Sequence, residues 1–247
     1  MREHSTNVWG LVGTFFWGIL IAVFLGVGQI FPLYIYMLLG EVPVTVDSFL
    51  NFIDSVESDA FLLSISVIGS ALIVLPLVFG IAKLKKGSIL KEYFALRLFS
   101  WKTFGVWLGI LILLLIFESY AIEALGAKET PSFMTNIEYP TVSSIWLLVF
   151  AVTLMAPLIE EVVFRGFLLK GFSNSFMGIY GAIILTSALW AVIHLQYELA
   201  YVSVIFVVGL VFGYARVKTN SIFVPMMMHF FMNLVAMMGL FYEKGMV

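Results

Sequence analysis

Long apolar runs without a charged residue recur along the whole chain of 247 residues. A helix needs about 20 mostly apolar residues to cross a hydrocarbon core of about 30 Å. Only 11% of the residues are charged, whereas soluble domains carry about 25%. The sequence therefore predicts an all-α fold, a polytopic transmembrane helical bundle.

About seven spans are predicted, and an eighth helix or a re-entrant segment is also compatible with the pattern. The predicted spans are residues 9–30 within the uncharged stretch 5–40, 60–82, 104 to just beyond 118, 144–169, 179–195, 199–215 and 222–241.

Basic residues are concentrated between the second and third predicted spans, whereas residues 41–59 contain no lysine or arginine. The positive-inside rule places the basic loop in the cytoplasm, which predicts a cytoplasmic N-terminus and an external C-terminus. The basic residues predicted to face the cytoplasm are Arg2, Lys83, Lys85, Lys86, Lys91, Arg97, Lys102, Arg165, Lys170, Arg216 and Lys218, and those predicted outside are Lys128 and Lys244.

Two adjacent glutamates and an arginine interrupt the fourth predicted span. An ionisable side chain inside a membrane helix costs roughly 2.5 to 3.5 kcal/mol on insertion scales, so it needs a partner or a function. Glu161 and Arg165 are four residues apart with the acid first, which favours an ion pair on one helix face. Glu160 points about 100° away and lacks such a partner, which suits a general base or acid. The alternative is that Glu160 and Arg165 lie hydrated in the headgroup region.

Two histidines and an asparagine interrupt the fifth and seventh predicted spans. Trp190 and His194 are four residues apart, as are His229 and Asn233, so each pair is predicted to share a helix face. His194 could instead be an interfacial residue, and His229 with Asn233 could form a hydrogen bond between packed helices. The joint occurrence of these residues with the paired acids in the last part of the chain favours one functional site.

A carboxylate, two neutral imidazoles and a carboxamide can together hold and deprotonate water. They can also stabilise the oxyanion formed when that water attacks an amide carbonyl, so the sequence predicts a peptidase. The chain has no cysteine, which excludes a cysteine nucleophile and thiolate metal ligands. The absence of a Gly-x-Ser-x-Gly elbow argues against a serine mechanism.

Glu160, His194 and His229 are also a ligand set for a divalent metal, zinc, with water in the open position. The metal would then need a second carboxylate as base, and Glu161 could serve only if its pairing with Arg165 were broken. The His-Glu-x-x-His helix of soluble zinc proteases is absent. The residues leave a zinc-dependent and a metal-free mechanism open.

The three clusters resemble the motifs of the CAAX-protease and bacteriocin-processing family of intramembrane proteases, Glu-Glu-x-x-x-Arg, Phe-x-x-x-His and His-x-x-x-Asn or Asp. The matching residues, within about residues 140–240, are Glu160, Glu161 and Arg165 for the first motif, His194 for the second, and His229 with Asn233 for the third. Trp190 stands where the family has phenylalanine.

The resemblance implies a CAAX-protease-like intramembrane endopeptidase, with or without a metal, and a cavity open to the cytosol. Glu160 and His194 would activate water, and His229 with Asn233 would support the oxyanion or a metal. The implied catalytic residues are Glu160, Glu161, His194, His229 and Asn233, with Arg165 and Trp190 as supporting residues.

We expect residues 1–139 to form N-terminal transmembrane helices with a basic cytoplasmic loop at 83–102, and residues 140–247 to form the catalytic core. The expected partners are the lipid bilayer and peptide or prenylated protein substrates of the CAAX or peptide-maturation type, with no nucleic acid. The expected location is a bacterial or archaeal cytoplasmic membrane.

Two other functions fit the same residues. The first is a non-catalytic membrane protein that acts as an immunity factor or a scaffold. The second is a proton-coupled transporter in which Glu160 and the histidines relay protons. A transporter predicts inverted repeats, and the sequence shows none.

Overall fold

The computed structural model describes residues 7–40, 45–126 and 130–246. Two residues used in the orientation argument, Arg2 and Lys128, lie outside these ranges. The ten helices of the described residues are α1 (Leu11–Leu39), α2 (Val46–Val56), α3 (Ala60–Leu84), α4 (Leu90–Tyr93), α5 (Trp101–Ala124), α6 (Ser132–Thr135), α7 (Val142–Ser173), α8 (Gly178–Val192), α9 (Leu199–Thr219) and α10 (Phe223–Glu243).

Six of these helices, α1, α3, α5, α7, α9 and α10, are long and apolar enough to cross a membrane, and α8 is a shorter apolar helix. Large apolar side chains on their outer faces are exposed, such as Val12 and Leu72, as expected for surfaces in contact with lipid. The structure confirms the predicted helical bundle, and the protein is an integral, multi-pass membrane protein.

The fifth predicted span is shorter than the sequence indicated. Residues 179–195 were expected to be helical, but α8 ends at Val192. The backbone N–H groups of His194 and Tyr197 donate to the carbonyls of Ala191 and His194, so the chain continues as a series of turns. His194 therefore lies on a turn beyond the end of the helix.

Small residues allow α1 and α3 to pack closely. A Cβ atom on Gly28 would lie 2.7 Å from the Cα of Ser70, closer than any real contact. The Ser70 hydroxyl donates to the carbonyl of Leu25, at 2.9 Å. Small residues with an interhelical hydrogen bond are the usual means of joining helices in lipid.

The basic segment between α3 and α5 packs onto α7. Tyr93 and Phe94 are fully buried, and the ring of Tyr93 stacks on that of Phe167 at a centroid distance of 5.8 Å. Burial raises the pKa of the Tyr93 hydroxyl above its ordinary value. The N-terminal part of the chain is thus in contact with the helix that carries the paired glutamates. The boundary at residue 139 between N-terminal helices and catalytic core stays a prediction.

Helix α7 changes its hydrogen-bond register twice. Its α-helical backbone is interrupted by π-helical segments at Ala151–Met155 and Glu161–Leu168. In the first of them the N–H of Ala156 donates to the carbonyl of Ala151, five residues earlier. Such segments are frequent at functional sites. Glu160 lies between the two segments, and Glu161 is the first residue of the second.

Candidate active site

One carboxylate oxygen of Glu160 faces both imidazole rings. Its Oε2 lies 4.0 Å from Nε2 of His194 and 3.9 Å from Nε2 of His229. The side chains of Glu160 and His194 are 18% and 16% exposed and that of His229 is 3% exposed, so the group sits at the edge of the buried core. The structure brings together residues from α7, the turn after α8, and α10.

The ring of His194 is oriented by the backbone. Its Nδ1 lies 2.8 Å from the carbonyl oxygen of Trp190. Because a carbonyl only accepts hydrogen bonds, Nδ1 carries the proton and donates it. In the neutral ring the lone pair is then on Nε2, the atom that faces Glu160.

The ring of His229 is oriented by Glu161. Its Nδ1 lies 3.1 Å from Oε1 of Glu161, and the same oxygen accepts from Nη1 of Arg165 at 3.0 Å. This distance confirms the predicted ion pair of Glu161 and Arg165, and both side chains are fully buried. Glu161 thus lies behind His229, on the side of the ring away from Glu160.

The guanidinium of Arg165 is held by three more contacts. Its Nη2 donates to the carbonyl of Gly209 on α9 at 3.4 Å. Its central carbon lies 4.3 Å from the centre of the Trp190 ring and 5.5 Å from that of Phe212. Cation–π contacts of this kind are strongest when desolvated, so they lower the cost of burying the charge.

Three hydrogen-bond acceptors therefore converge at the site. With Nδ1 protonated in each neutral ring, the two Nε2 lone pairs and the Glu160 carboxylate all point toward a common region. Acceptors repel one another unless a hydrogen-bond donor or a cation lies between them. A water molecule can donate to two of these acceptors at once, for example the Glu160 carboxylate and one Nε2 atom, and such a water is polarised for attack on a carbonyl.

Trp190 donates a hydrogen bond to the central carboxylate. Its Nε1 lies 2.5 Å from Oε2 of Glu160, and the indole is buried. The ring also makes edge contacts with His194 and His229, each at a centroid distance of 5.3 Å. Tryptophan, in place of the phenylalanine of the motif that the sequence resembles, therefore adds a polar contact to the site.

Asn233 does not contact Glu160. Its Nδ2 donates to the carbonyl of Val152 in the first π segment, at 2.8 Å. In the register of that segment the carbonyl of Val152 would bond the N–H of residue 157, which is proline and has none. Asn233 supplies the missing donor and retains a second N–H.

Tyr197 is a residue of the site that the motifs did not single out. Its ring stacks on that of His194 at a centroid distance of 6.0 Å and an angle of 17°. Burial, and then the negative charge of Glu160, raise the pKa of its hydroxyl to about 12. Tyr197 lies between the predicted spans 179–195 and 199–215, so no helical spacing linked it to His194 in the sequence.

The predicted zinc ligands lie farther apart than the ligands of a tetrahedral zinc ion. Among the residues that the structure describes, no group of three histidine, cysteine, aspartate or glutamate side chains has such an arrangement. Ligands of tetrahedral zinc lie about 3.3 Å apart, given metal–ligand bonds of about 2.0 to 2.1 Å, and here the separations from Glu160 are 3.9 and 4.0 Å. Glu161, the alternative base, is held in its ion pair.

The fold and the site define a class of protein, a multi-pass helical membrane protein with a buried glutamate–histidine cluster. Residues 142–235 match the family model described as type II CAAX prenyl endopeptidase Rce1-like. This match covers α7 and most of α10 with everything between, and thus all the motif residues. It confirms the predicted resemblance to the CAAX-protease family.

One curated relative also aligns with part of the chain. It is an uncharacterized 24.3 kDa protein of Escherichia coli, which is 32% identical over 111 residues. The alignment covers 43% of this chain and 50% of that protein, so the chain spans about half the length of the relative. No solved structure shows a significant match to the chain.

Proposed function

We propose that the protein is an intramembrane endopeptidase that hydrolyses peptide bonds near the membrane with water activated by Glu160 and the two histidines. The observation that carries the proposal is the convergence of one Glu160 oxygen with Nε2 of both His194 and His229. The match of residues 142–235 to CAAX prenyl endopeptidases supports the same activity.

In the proposed reaction, Glu160 takes a proton from the bound water as the oxygen forms a bond to the scissile carbonyl carbon. The carbonyl oxygen gains the negative charge. When the C–N bond breaks, the proton passes to the leaving amine, so the products are a carboxylic acid and an amine. The second N–H of Asn233 and the hydroxyl of Tyr197 are the candidate donors to the oxyanion.

Glu161 and Arg165 have a positioning role in this proposal. The carboxylate of Glu161 fixes the tautomer of His229, and Arg165 neutralises the carboxylate. The expected catalytic role of Glu161 would require it to leave a buried ion pair, and removing one partner of such a pair costs about 3 to 5 kcal/mol.

The proposed substrates are peptides or proteins with a lipidated C-terminal segment of the CAAX type. Peptide-maturation substrates without a lipid are the second candidate class. The zinc requirement stays a prediction, and none of the steps above depends on a metal. The location in a bacterial or archaeal cytoplasmic membrane, with the N-terminus inside, is part of the same proposal.

The test is a cleavage assay on purified protein with paired prenylated and unprenylated peptides. Glu160→Gln keeps the size of the side chain and an acceptor for Trp190 but removes the base. We expect it to lower kcat by about 10²- to 10⁴-fold. His194→Ala and His229→Ala are expected to act alike, while Glu123→Gln, which changes an exposed acid at the end of α5, keeps wild-type activity.

All variants must unfold at the same temperature as the wild type for the comparison to count. Equal cleavage by wild type and Glu160→Gln would show that the base has been assigned to the wrong residue. A chelator arm separates the mechanisms, because only a metal-dependent enzyme loses activity to the chelator and regains it with added zinc.

A further inference from the structure

A positively charged cavity lies at the C-terminal end of α7, and none of the glutamate–histidine cluster lines it. It has a volume of about 130 Å³ and is bordered by the end of α7, the start of α8 and the end of α9. The lining residues are Leu169, Lys170, Ser173, Ile179, Arg216, Val217 and Asn220. The cavity exceeds the roughly 10 to 15 Å³ that one water needs and is below the 300 Å³ or so of drug-sized pockets. It therefore suits a compact chemical group.

The two cationic side chains that line this cavity are Lys170 and Arg216. Within residues 7–40, 45–126 and 130–246, neither Lys170 nor Arg216 forms an ion pair or a side-chain hydrogen bond. Arg216 is only 6% exposed, and its buried Nε has no hydrogen-bond partner. A buried, unpaired guanidinium is costly unless an anion comes to it.

The surrounding charges do not neutralise the cavity. Arg97 adds a further positive charge that acts on Arg216. Glu92 acts on Lys170, but its carboxylate is already paired with Arg97. The opposite charges of Arg97 and Glu92 offset each other. The positive charges of Lys170 and Arg216 are therefore not neutralised by this pair.

The donors are arranged for a group with several acceptor oxygens. Guanidinium, ammonium and carboxamide donors reach the cavity from α7 and from the end of α9, where Asn220 adopts a left-handed conformation with φ 48°. A phosphate group accepts several such charge-assisted hydrogen bonds at once through its separate oxygens. Exposed apolar surface at the rim, including Ile179, suits the non-polar part of a lipid.

We propose that this cavity binds a phosphate group, with Lys170 and Arg216 as its cationic ligands. The cavity lies at the end of the bundle where the basic residues are concentrated, so the phosphate of an anionic lipid headgroup can reach it from the bilayer. Basic pockets between membrane helices bind lipid headgroups in this way. Free phosphate offers the same chemistry from solution.

Native mass spectrometry of the full chain tests the proposal, with dioleoyl phosphatidylglycerol or dioleoyl phosphatidylcholine as the probe. We expect wild type to retain phosphatidylglycerol in preference to phosphatidylcholine. Lys170→Gln and Arg216→Gln should each lower that retention about tenfold or more, since each removes a hydrogen bond to a charged group. Lys218→Gln is the matched control, because Lys218 is an exposed cation near the same helix end and does not line the cavity.

A second arm measures thermal unfolding with and without inorganic phosphate in lipid-free detergent. A rise in unfolding temperature that Lys170→Gln abolishes and Lys218→Gln keeps would support a phosphate site filled from solution. Lys170 is only partly buried, so its variant tests the site even if Arg216→Gln fails to fold. Equal retention of both lipids by wild type and Lys170→Gln, together with no phosphate effect, overturns the proposal.

Discussion

Trp190 is the residue at which this chain departs from the family motif, and its indole N–H contacts the proposed base. Trp190→Phe keeps an aromatic ring beside Arg165 but removes the donor to Glu160. A hydrogen bond to a charged group contributes about 1.5 to 3 kcal/mol. We therefore predict that kcat falls about 10- to 100-fold, measured in the cleavage assay at saturating peptide.

The control for this variant is Trp107→Phe, which changes a buried indole on α5 that contacts Tyr214 instead of the site. Trp107→Phe should keep wild-type kcat. If Trp190→Phe also keeps wild-type kcat, the indole N–H of Trp190 has no part in the reaction.

Tyr197 gives a prediction for alkaline pH. Its hydroxyl has a folded pKa of about 12 and an ordinary value of 10.0. Because the folded value is the higher one, this group contributes stability that is fully present below pH 10 and is lost as the pH rises toward 12. Tyr197→Phe should therefore unfold with a weaker dependence on pH between these values.

Phenolate absorbance checks the assignment, as the difference between wild type and Tyr197→Phe isolates one of the ten tyrosines. A tyrosine that ionises near pH 10 in that difference spectrum would contradict the burial of this hydroxyl. Tyr180→Phe, on an exposed tyrosine, is the control.

At the level of single residues, the sequence predicted which side chains meet but not how they are oriented. Intramembrane charge and four-residue spacing were enough to select Glu160, His194 and His229 and to pair Glu161 with Arg165. The contacts of Trp190, Asn233 and Tyr197 depend on a helix register and a turn, which no spacing rule for regular α-helices contains.

Among the elements, helix α7 explains the position of Asn233. Asn233→Ala leaves the carbonyl of Val152 without its side-chain donor, and we predict a loss of about 1 to 3 kcal/mol in the free energy of unfolding. Pro157→Ala in the same chain supplies a backbone N–H at the position where the carbonyl needs one. The double variant should therefore regain much of the lost stability.

Denaturant unfolding of wild type, both single variants and the double variant measures this coupling. The cleavage assay on the same four proteins separates two roles of Asn233. Activity restored with stability would indicate positioning alone, whereas restored stability without activity would support a donor to the oxyanion. Strictly additive effects on stability would contradict the contact.

The two π segments and the early end of α8 could not be predicted from hydropathy. Pro157 lacks a backbone N–H, but a proline in a membrane helix gives the same sequence signal for an ordinary kink as for a π segment. Ile193 and Leu195, after Val192, are apolar, so the predicted helix was extended to residue 195 across His194.

For the whole molecule, the positive-inside rule predicts an orientation that single cysteines can report, because the chain contains no cysteine. Lys86→Cys, in the exposed loop after α3, should react with a membrane-impermeant maleimide only after cells are opened. Glu57→Cys, exposed at the end of α2, should react in intact cells. The reverse labelling pattern would invert the predicted orientation.

The span pattern was predictable because lipid imposes a length and a composition on each crossing helix. The observed bounds of α3, α7, α9 and α10 extend the predicted spans by a few residues, since polar residues at helix ends continue the backbone hydrogen bonding beyond the apolar core. Helix α2 was not predicted, as it is too short and too polar to give a membrane signal.

The shortness of α8 has a consequence for the bilayer itself. With 15 residues it is about 22 Å long, roughly 8 Å less than the hydrocarbon core. One response of a bilayer to such a short helix is local thinning, at a cost of a fraction of a kcal/mol per Å of mismatch. We therefore expect the thinnest part of the surrounding membrane to lie next to His194, so that activity should depend on the acyl-chain length of the host lipid.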